Sequence, residues 1–176
     1  MFVIKIYFAK TGDGTSSHEL LFRAIEIHCG KCDFTLSYER GKKPYFTELD
    51  APKFSISHSG DVWICAISDG EIGCDVQLHK PYPRYASIAE RYFHPTEITE
   101  MNSAEEPLCT FFGTWVKKES VAKLTGRGLD SSLKESAVAS LPLCVDHISL
   151  PICEPYSAAV ASRELFVAKE IAVIKI

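Results

Sequence analysis

Seven consecutive residues constrain this 176-residue chain more than any others. Ile72, Gly73, Cys74, Asp75, Val76, Gln77 and Leu78 alternate without a break. Ile72, Cys74, Val76 and Leu78 fall on one side; Gly73, Asp75 and Gln77 fall on the other. A period of two is the side-chain repeat of a β-strand, so the segment predicts a strand with one apolar face and one face bearing oxygen ligands. Oxygen-bearing side chains at i and i+2 can share a cation. A hard ion such as Mg2+ takes carboxylate and carbonyl oxygens and keeps several waters. The same pattern also suits the solvated face of an antiparallel sheet.

The surrounding elements follow from the same reading. Residues 2–8 alternate apolar side chains with Lys5 and Tyr7 and predict a half-buried strand. Ser16 or Ser17 is placed to cap a helix over 19–29, and 36–39 predicts a short strand before a loop at 41–44. A hairpin is expected from Phe54 and Ile56, turning at residues 57–61 and returning along 62–67. Beyond a linker at 80–84, helices are expected over 85–92, from His94, and from Pro107 to a stop at Gly126. The buried stripe of the last is Leu108, Phe111, Phe112, Trp115 and Ala122. Strands are expected over 138–143, 147–152, 158–161 and 171–176. The helix at 19–29 with its strands echoes the helix at 107–124 with its own, suggesting two halves, each a helix over a three-stranded sheet.

Composition narrows the class. Apolar residues make up 46% and charged residues 24% of the chain, a globular balance. The longest apolar run, 62–67, is too short to cross a membrane, and Lys5 interrupts any signal-peptide core, so a soluble cytoplasmic protein is expected. A net charge of −4 argues against general nucleic-acid binding. Within that acidic chain, Lys117, Lys118, Lys123, Arg127 and Lys134 outnumber Glu119 and Asp130. Such a patch suits a phosphate-bearing ligand or an acidic partner, or is a solvated helix face. The seven cysteines read as reduced thiols. Cys29 and Cys32 form a lone C-x-x-C, which lacks the four ligands of a structural zinc site; a redox pair remains open.

Two further places could carry chemistry. Glu119 falls on the buried stripe of the long helix, where a lone charge is costly, and Lys123 one turn on could pair with it. Ser57, His58, Ser59 and Gly60, read as a turn, offer hydroxyls, N–H groups and an imidazole to phosphate oxygens. A Ser-His hydrolase is the other reading, but no G-x-S-x-G elbow occurs.

The order of these segments is more specific than any one of them. FSISHSG at 54–60, GCDVQ at 73–77, RYFHPTE at 91–97 and WVKKESVAKLTGRGL at 115–129 follow a GKKP loop at 41–44. Together they resemble the 4′-phosphopantetheinyl transferases of the surfactin-synthetase type. That family runs F-N-x-S-H-S, G-(I/V)-D-(I/V)-E, R-F-F-x-x-x-E and W-x-x-K-E-(S/A)-x-x-K-x-x-G-x-G-L. The resemblance implies an enzyme that moves phosphopantetheine from coenzyme A to a serine of an acyl or peptidyl carrier protein, releasing 3′,5′-ADP. The carriers concerned serve fatty acid, polyketide or nonribosomal peptide biosynthesis. It implies Asp75, Glu119 and Gln77 as the Mg2+ ligands, with Glu119, Lys123 and Asp75 catalytic. Glu119 would be the base for the carrier serine and Lys123 would steady the pyrophosphate. Lys43, Ser57, His58 and Lys123 would contact coenzyme A.

The implied fold is α+β: two similar α/β halves related by a pseudo-twofold axis, each a small antiparallel sheet covered by a long helix. The halves would be 1–72, the nucleotide side of the cleft, and 73–176, carrying the metal and the catalytic helix. With both halves in one chain a monomer is expected, with no nucleic-acid or membrane partner. Gln77 stands where the family has an acid, Ser55 where it has Asn, and the basic stretch of larger members is missing, leaving Arg23, Lys31 and Arg40. A non-catalytic relative that binds coenzyme A or a carrier protein is the alternative.

Overall fold

A computed structural model of the chain describes residues 3–12, 14–40, 42–128, 131–153, 155–166 and 171–176. Phe2, Gly41, Leu129 and Asp130, which enter the expectations above, lie outside the described residues. In chain order the elements are β1 (Lys5–Lys10), α1 (Ser17–Cys29), β2 (Leu36–Ser37), β3 (Tyr45–Phe46), β4 (Lys53–Ser59), β5 (Val62–Ser68) and β6 (Ile72–Leu78). Then come α2 (Tyr85–Tyr92), α3 (Pro95–Ser103), α4 (Pro107–Thr125), β7 (Cys144–His147), β8 (Tyr156–Ser162) and β9 (Ala172–Lys175).

The fold is mixed α+β, built on two main sheets of order β4-β5-β1-β9 and β6-β8-β7, with β2 and β3 forming a small ribbon. The facing sides of the main sheets meet in one core: Ile6, Phe8, Val62, Ile64 and Ala66 against Cys74, Val76, Ala158 and Val160. Helix α1 covers the outer face of the first sheet, burying Leu20, Leu21, Ala24 and Ile25 over Tyr7, Trp63 and Cys65. Its N-terminus is closed by a capping box between Ser16 and Glu19, and Gly30 ends it in the left-handed region at φ 73°. Helix α4 lies on the outer face of the second sheet.

Several expectations are corrected. β1 is buried on both faces, because alternate residues enter the inter-sheet core and the α1 core; it is not half-buried. Ser57, His58 and Ser59 belong to β4, since Gly60 (φ 58°) and Asp61 alone make the turn between the paired residues Ser59 and Val62. The first sheet is four-stranded and not wholly antiparallel: β9 leaves the second half of the chain and pairs parallel to β1. Residues 138–140 form a 3-10 turn instead of a strand, and the strand expected at 147–152 lies earlier, at β7.

Candidate active site

The site is assembled where α4 touches β6. A Cβ on Gly73 would overlap the carbonyl oxygen of Ser120 and lie 2.6 Å from the backbone nitrogen of Leu124. Only a glycine lets the helix rest this low on the strand. Beside Gly73 and Asp75 in the sheet stand Ala161 and Ala159, which keep the surface under α4 flat. Asp75, on the face toward the helix, is therefore roofed over and is only 6% exposed.

Burial on that scale requires partners for a carboxylate, and two are present. Lys123 Nζ reaches Asp75 Oδ1 at 2.7 Å, and Ser57 Oγ donates to the same oxygen at 2.6 Å. Lys123 also donates to the Ile56 carbonyl at 3.3 Å. The expected Glu119–Lys123 pair is thus replaced by a Lys123–Asp75 pair. With α4 seated on β6, the buried Asp75 lies within the lysine's reach, whereas Glu119 keeps contact with water at the cleft.

Among the described residues, nothing bonds or pairs with the Glu119 carboxylate. Burial, and next the charge of Asp75, push its pKa up to about 7, against the opposing pull of Lys123. A carboxylate that titrates near neutral pH can take a proton from a hydroxyl and release it again.

β4 meets β6 through side chains. Ser55, Ser57 and Ser59 recur at every second residue, and their hydroxyl oxygens accept the N–H groups of Cys74 (3.0 Å), Val76 (3.4 Å) and Leu78 (3.0 Å). The edge of β6 that β8 leaves open is satisfied by this ladder. The ladder also orients the site: Ser57 holds Asp75, and Ser59 accepts Gln77 Nε2 at 3.0 Å. The Leu78 carbonyl accepts the same nitrogen at 3.3 Å.

Lys42, Lys43, Phe54, Ser55, Glu119 and Lys123 line a cleft of about 260 Å3 between the two sheets' elements. Lys43 stands at its wall, donating to Glu71 at 2.9 Å and to the Ile72 carbonyl at 3.1 Å. Of the residues expected in the site, Lys43, Glu119 and Lys123 line this cleft, and Asp75 and Ser57 lie behind it, joined through the Lys123–Asp75 and Ser57–Asp75 contacts. Gln77 lies two residues on and lines a neighbouring cavity with Trp115. His58 does not join them: alternation along β4 turns it to the opposite face from Ser57, where it is exposed.

The basic residues at 117–134 do not share one face: Arg127 and Lys134 are exposed, whereas Lys118 and Lys123 are turned inward. Lys118 is 1% exposed and pairs with Glu97 at 2.8 Å; Lys123 is engaged with Asp75, and Lys134 donates to the Glu90 carbonyl. The Glu97–Lys118 pair was not anticipated. Its signal was available, because Glu97 and Lys118 both sit within the quoted motifs. Lys31, offered as a substitute for missing basic residues, is paired with Asp50.

Two carboxylates make the start of a hard-cation donor set, with the Gln77 amide two residues along the strand from Asp75, and two lysines beside them suit phosphate. Comparison with known proteins agrees in kind. The sequence profile of the 4′-phosphopantetheinyl transferase superfamily matches residues 71–164. The chain is 33% identical over 127 residues to the 4′-phosphopantetheinyl transferase AcpT of Salmonella typhimurium, covering 67% of this chain and 66% of that one. It is 34% identical over 128 residues to the transferase psf-1 of Bacillus pumilus, covering 68% and 54%. To the transferase Sfp of Bacillus subtilis it is 30% identical over 139 residues, covering 76% and 61%. The chain spans between 43% and 66% of the length of the curated relatives it matches.

Proposed function

The chain belongs to the 4′-phosphopantetheinyl transferase superfamily, and from that premise we propose that it transfers phosphopantetheine from coenzyme A to a serine of an apo carrier protein. The observation that carries the proposal is that Lys43, Glu119 and Lys123 line one cleft, with Asp75 paired to Lys123 at its wall. In this reading coenzyme A lies in the cleft with its pyrophosphate toward Lys123 and Lys43. The carrier serine approaches from the open side, next to Glu119. Glu119 accepts the proton of the serine hydroxyl as its oxygen attacks the β-phosphorus. The bond from that phosphorus to the bridging pyrophosphate oxygen breaks, and 3′,5′-ADP departs with the electron pair. Lys123, already charged beside Asp75, offsets the negative charge that gathers on the leaving oxygens.

The donor set fits Mg2+: Asp75 and Glu119 would hold it, with the Gln77 amide oxygen as a neutral third ligand. When bound, the ion supplies charge neutralisation along the pyrophosphate. Ser57 serves this site through Asp75. Lys43 is read as a contact to the phosphates and His58, exposed on β4, as a contact to the nucleotide. Two α/β halves about a pseudo-twofold axis, divided before Gly73 and working as a monomer, complete the proposal. A cytoplasmic carrier is its natural partner; among the described residues no helix is long and apolar enough to cross a membrane.

The test is the intact mass of an apo carrier protein incubated with this protein, coenzyme A and Mg2+, with an EDTA control. The proposal expects a gain of one phosphopantetheine that EDTA abolishes. No gain across fatty-acid, polyketide and peptide carriers, with coenzyme A binding intact, would select a non-catalytic binder.

A further inference from the structure

Helix α4 borders a second cavity, larger than the catalytic cleft. On the other flank of the helix, about 630 Å3 opens between α4, the start of β8 and the segment after β7. That volume falls within the roughly 300–1,000 Å3 typical of small-molecule sites. Thr110, Thr114 and Lys117 face it from α4, whereas Glu119 and Lys123 face the catalytic cleft. Residues two apart on a helix do not share a face, so Lys117 and Glu119 serve different spaces.

The lining is chemically one-sided. In a chain with net charge −4, no aspartate or glutamate is among the described residues that line this cavity. Lys117 is its one permanent cation, and among the described residues no group accepts a hydrogen bond from its ammonium. His147 packs its ring over Gly113, with Cε1 3.4 Å from where a Cβ would stand. His79 stacks on Phe112 at 4.9 Å and shares a 2.8 Å hydrogen bond with Ser157. Burial lowers both imidazoles, and for His147 the charge of Lys117 adds to the effect. The charge of Glu106 opposes this for His79, and that of Asp146 for His147. Thr110, Thr114 and Ser149 add hydroxyls, and Ile148, Leu150 and Ile152 supply an apolar wall that continues into the core.

We propose that this cavity is a second binding site, for a small organic monoanion: a carboxylate with an apolar tail. Lys117 would pair with the carboxylate, the hydroxyls would satisfy its remaining lone pairs, and the tail would lie on the isoleucine–leucine wall. A single permanent cation balances one negative charge, which favours a carboxylate over a doubly charged phosphate. The inference stands apart from the transferase reading, since it uses none of that reading's residues.

Calorimetric titration of the full chain with sodium octanoate tests it, with 1-octanol and inorganic phosphate as the comparison arms. We expect saturable one-to-one binding of octanoate, at least tenfold tighter than octanol or phosphate. Lys117→Ala should weaken it at least tenfold with the melting temperature unchanged, Lys117→Arg should retain it, and Thr114→Trp should block it by filling the space. Saturating coenzyme A should leave the octanoate affinity within twofold. The proposal is overturned by non-saturable binding, by equal affinity for octanol, by phosphate matching octanoate, by insensitivity to Lys117→Ala and Thr114→Trp, or by displacement with coenzyme A.

Discussion

Replacing Lys118 by methionine isolates the least expected interaction in the protein. Its ammonium, 1% exposed, contacts Glu97 at 2.8 Å and donates to the Leu133 carbonyl at 2.6 Å. Glu97 in turn accepts the N–H groups of His94 and Val138, each at 2.8 Å. The pair thereby ties α3, α4 and the segment at 133–138 together. Methionine fills much of the same volume and removes the charge. Glu97 is then a buried carboxylate with two N–H donors and no cation, and the Leu133 carbonyl loses a donor. Breaking one side of a buried pair costs about 3–5 kcal/mol, a large part of the roughly 5–15 kcal/mol that holds a domain folded.

Urea unfolding, extrapolated linearly, measures that loss, and the melting temperature should fall by roughly 6–20 °C for a chain of this size. The second arm of the cycle is Glu97→Gln. It keeps an acceptor for Val138, gives up the one for the His94 N–H and removes the uncompensated charge, so the double variant should recover about 1–2 kcal/mol of the single variant's loss. A loss under about 1 kcal/mol for Lys118→Met, with no coupling to Glu97→Gln, would refute the reasoning that the pair is desolvated and mutually dependent.

Further outcomes follow from the same geometry. Glu119 has a folded pKa of about 7 against an ordinary 4.5, so protonation favours the folded chain; that contribution is full below the ordinary value and is lost as pH rises through the folded one. Wild type should therefore lose about 1–2 kcal/mol relative to Glu119→Gln as pH rises from about 5 to about 8, after discounting for water at the cleft; parallel stability–pH curves would contradict this. Gly73→Ala should destabilise by about 1–3 kcal/mol or more, because backbone of α4 occupies the new methyl's place. A melting temperature at the wild-type value would mean that α4 can lift. Ser57→Ala leaves the Val76 N–H and Asp75 each short of a partner and should cost about 1.5–3 kcal/mol by urea titration; a neutral result would show that Lys123 alone suffices for Asp75.

What the sequence made legible was local. The alternation of 72–78, the serine cap of α1, and Pro107 and Gly126 at the ends of α4 each report on a few neighbouring residues, and each element appears with nearly the expected bounds. The convergence of Asp75, Glu119 and Lys123 was legible through a motif order, although their partners were not. Lys123 pairs across elements because Gly73 brings α4 onto β6, a contact of tertiary origin. Residues 138–143 have strand-like composition, yet the Val138 N–H is drawn to the Glu97 carboxylate and the chain turns there. β9 joins β1, far away in sequence, so its sheet could not be read from its own alternation. Reading 57–59 as a turn hid the serine ladder; the repeat of serine at 55, 57 and 59 was the available sign.

Asp75 and Glu119 are proposed to form one centre that performs the transfer. Its most direct measurement is the rate of phosphopantetheine addition to an apo carrier protein, followed by intact mass, for wild type beside Asp75→Ala and Glu119→Ala. Circular dichroism should first show that both variants are folded. A loss of about 100-fold or more is expected for each variant. Rates for both folded variants within about threefold of wild type would contradict it.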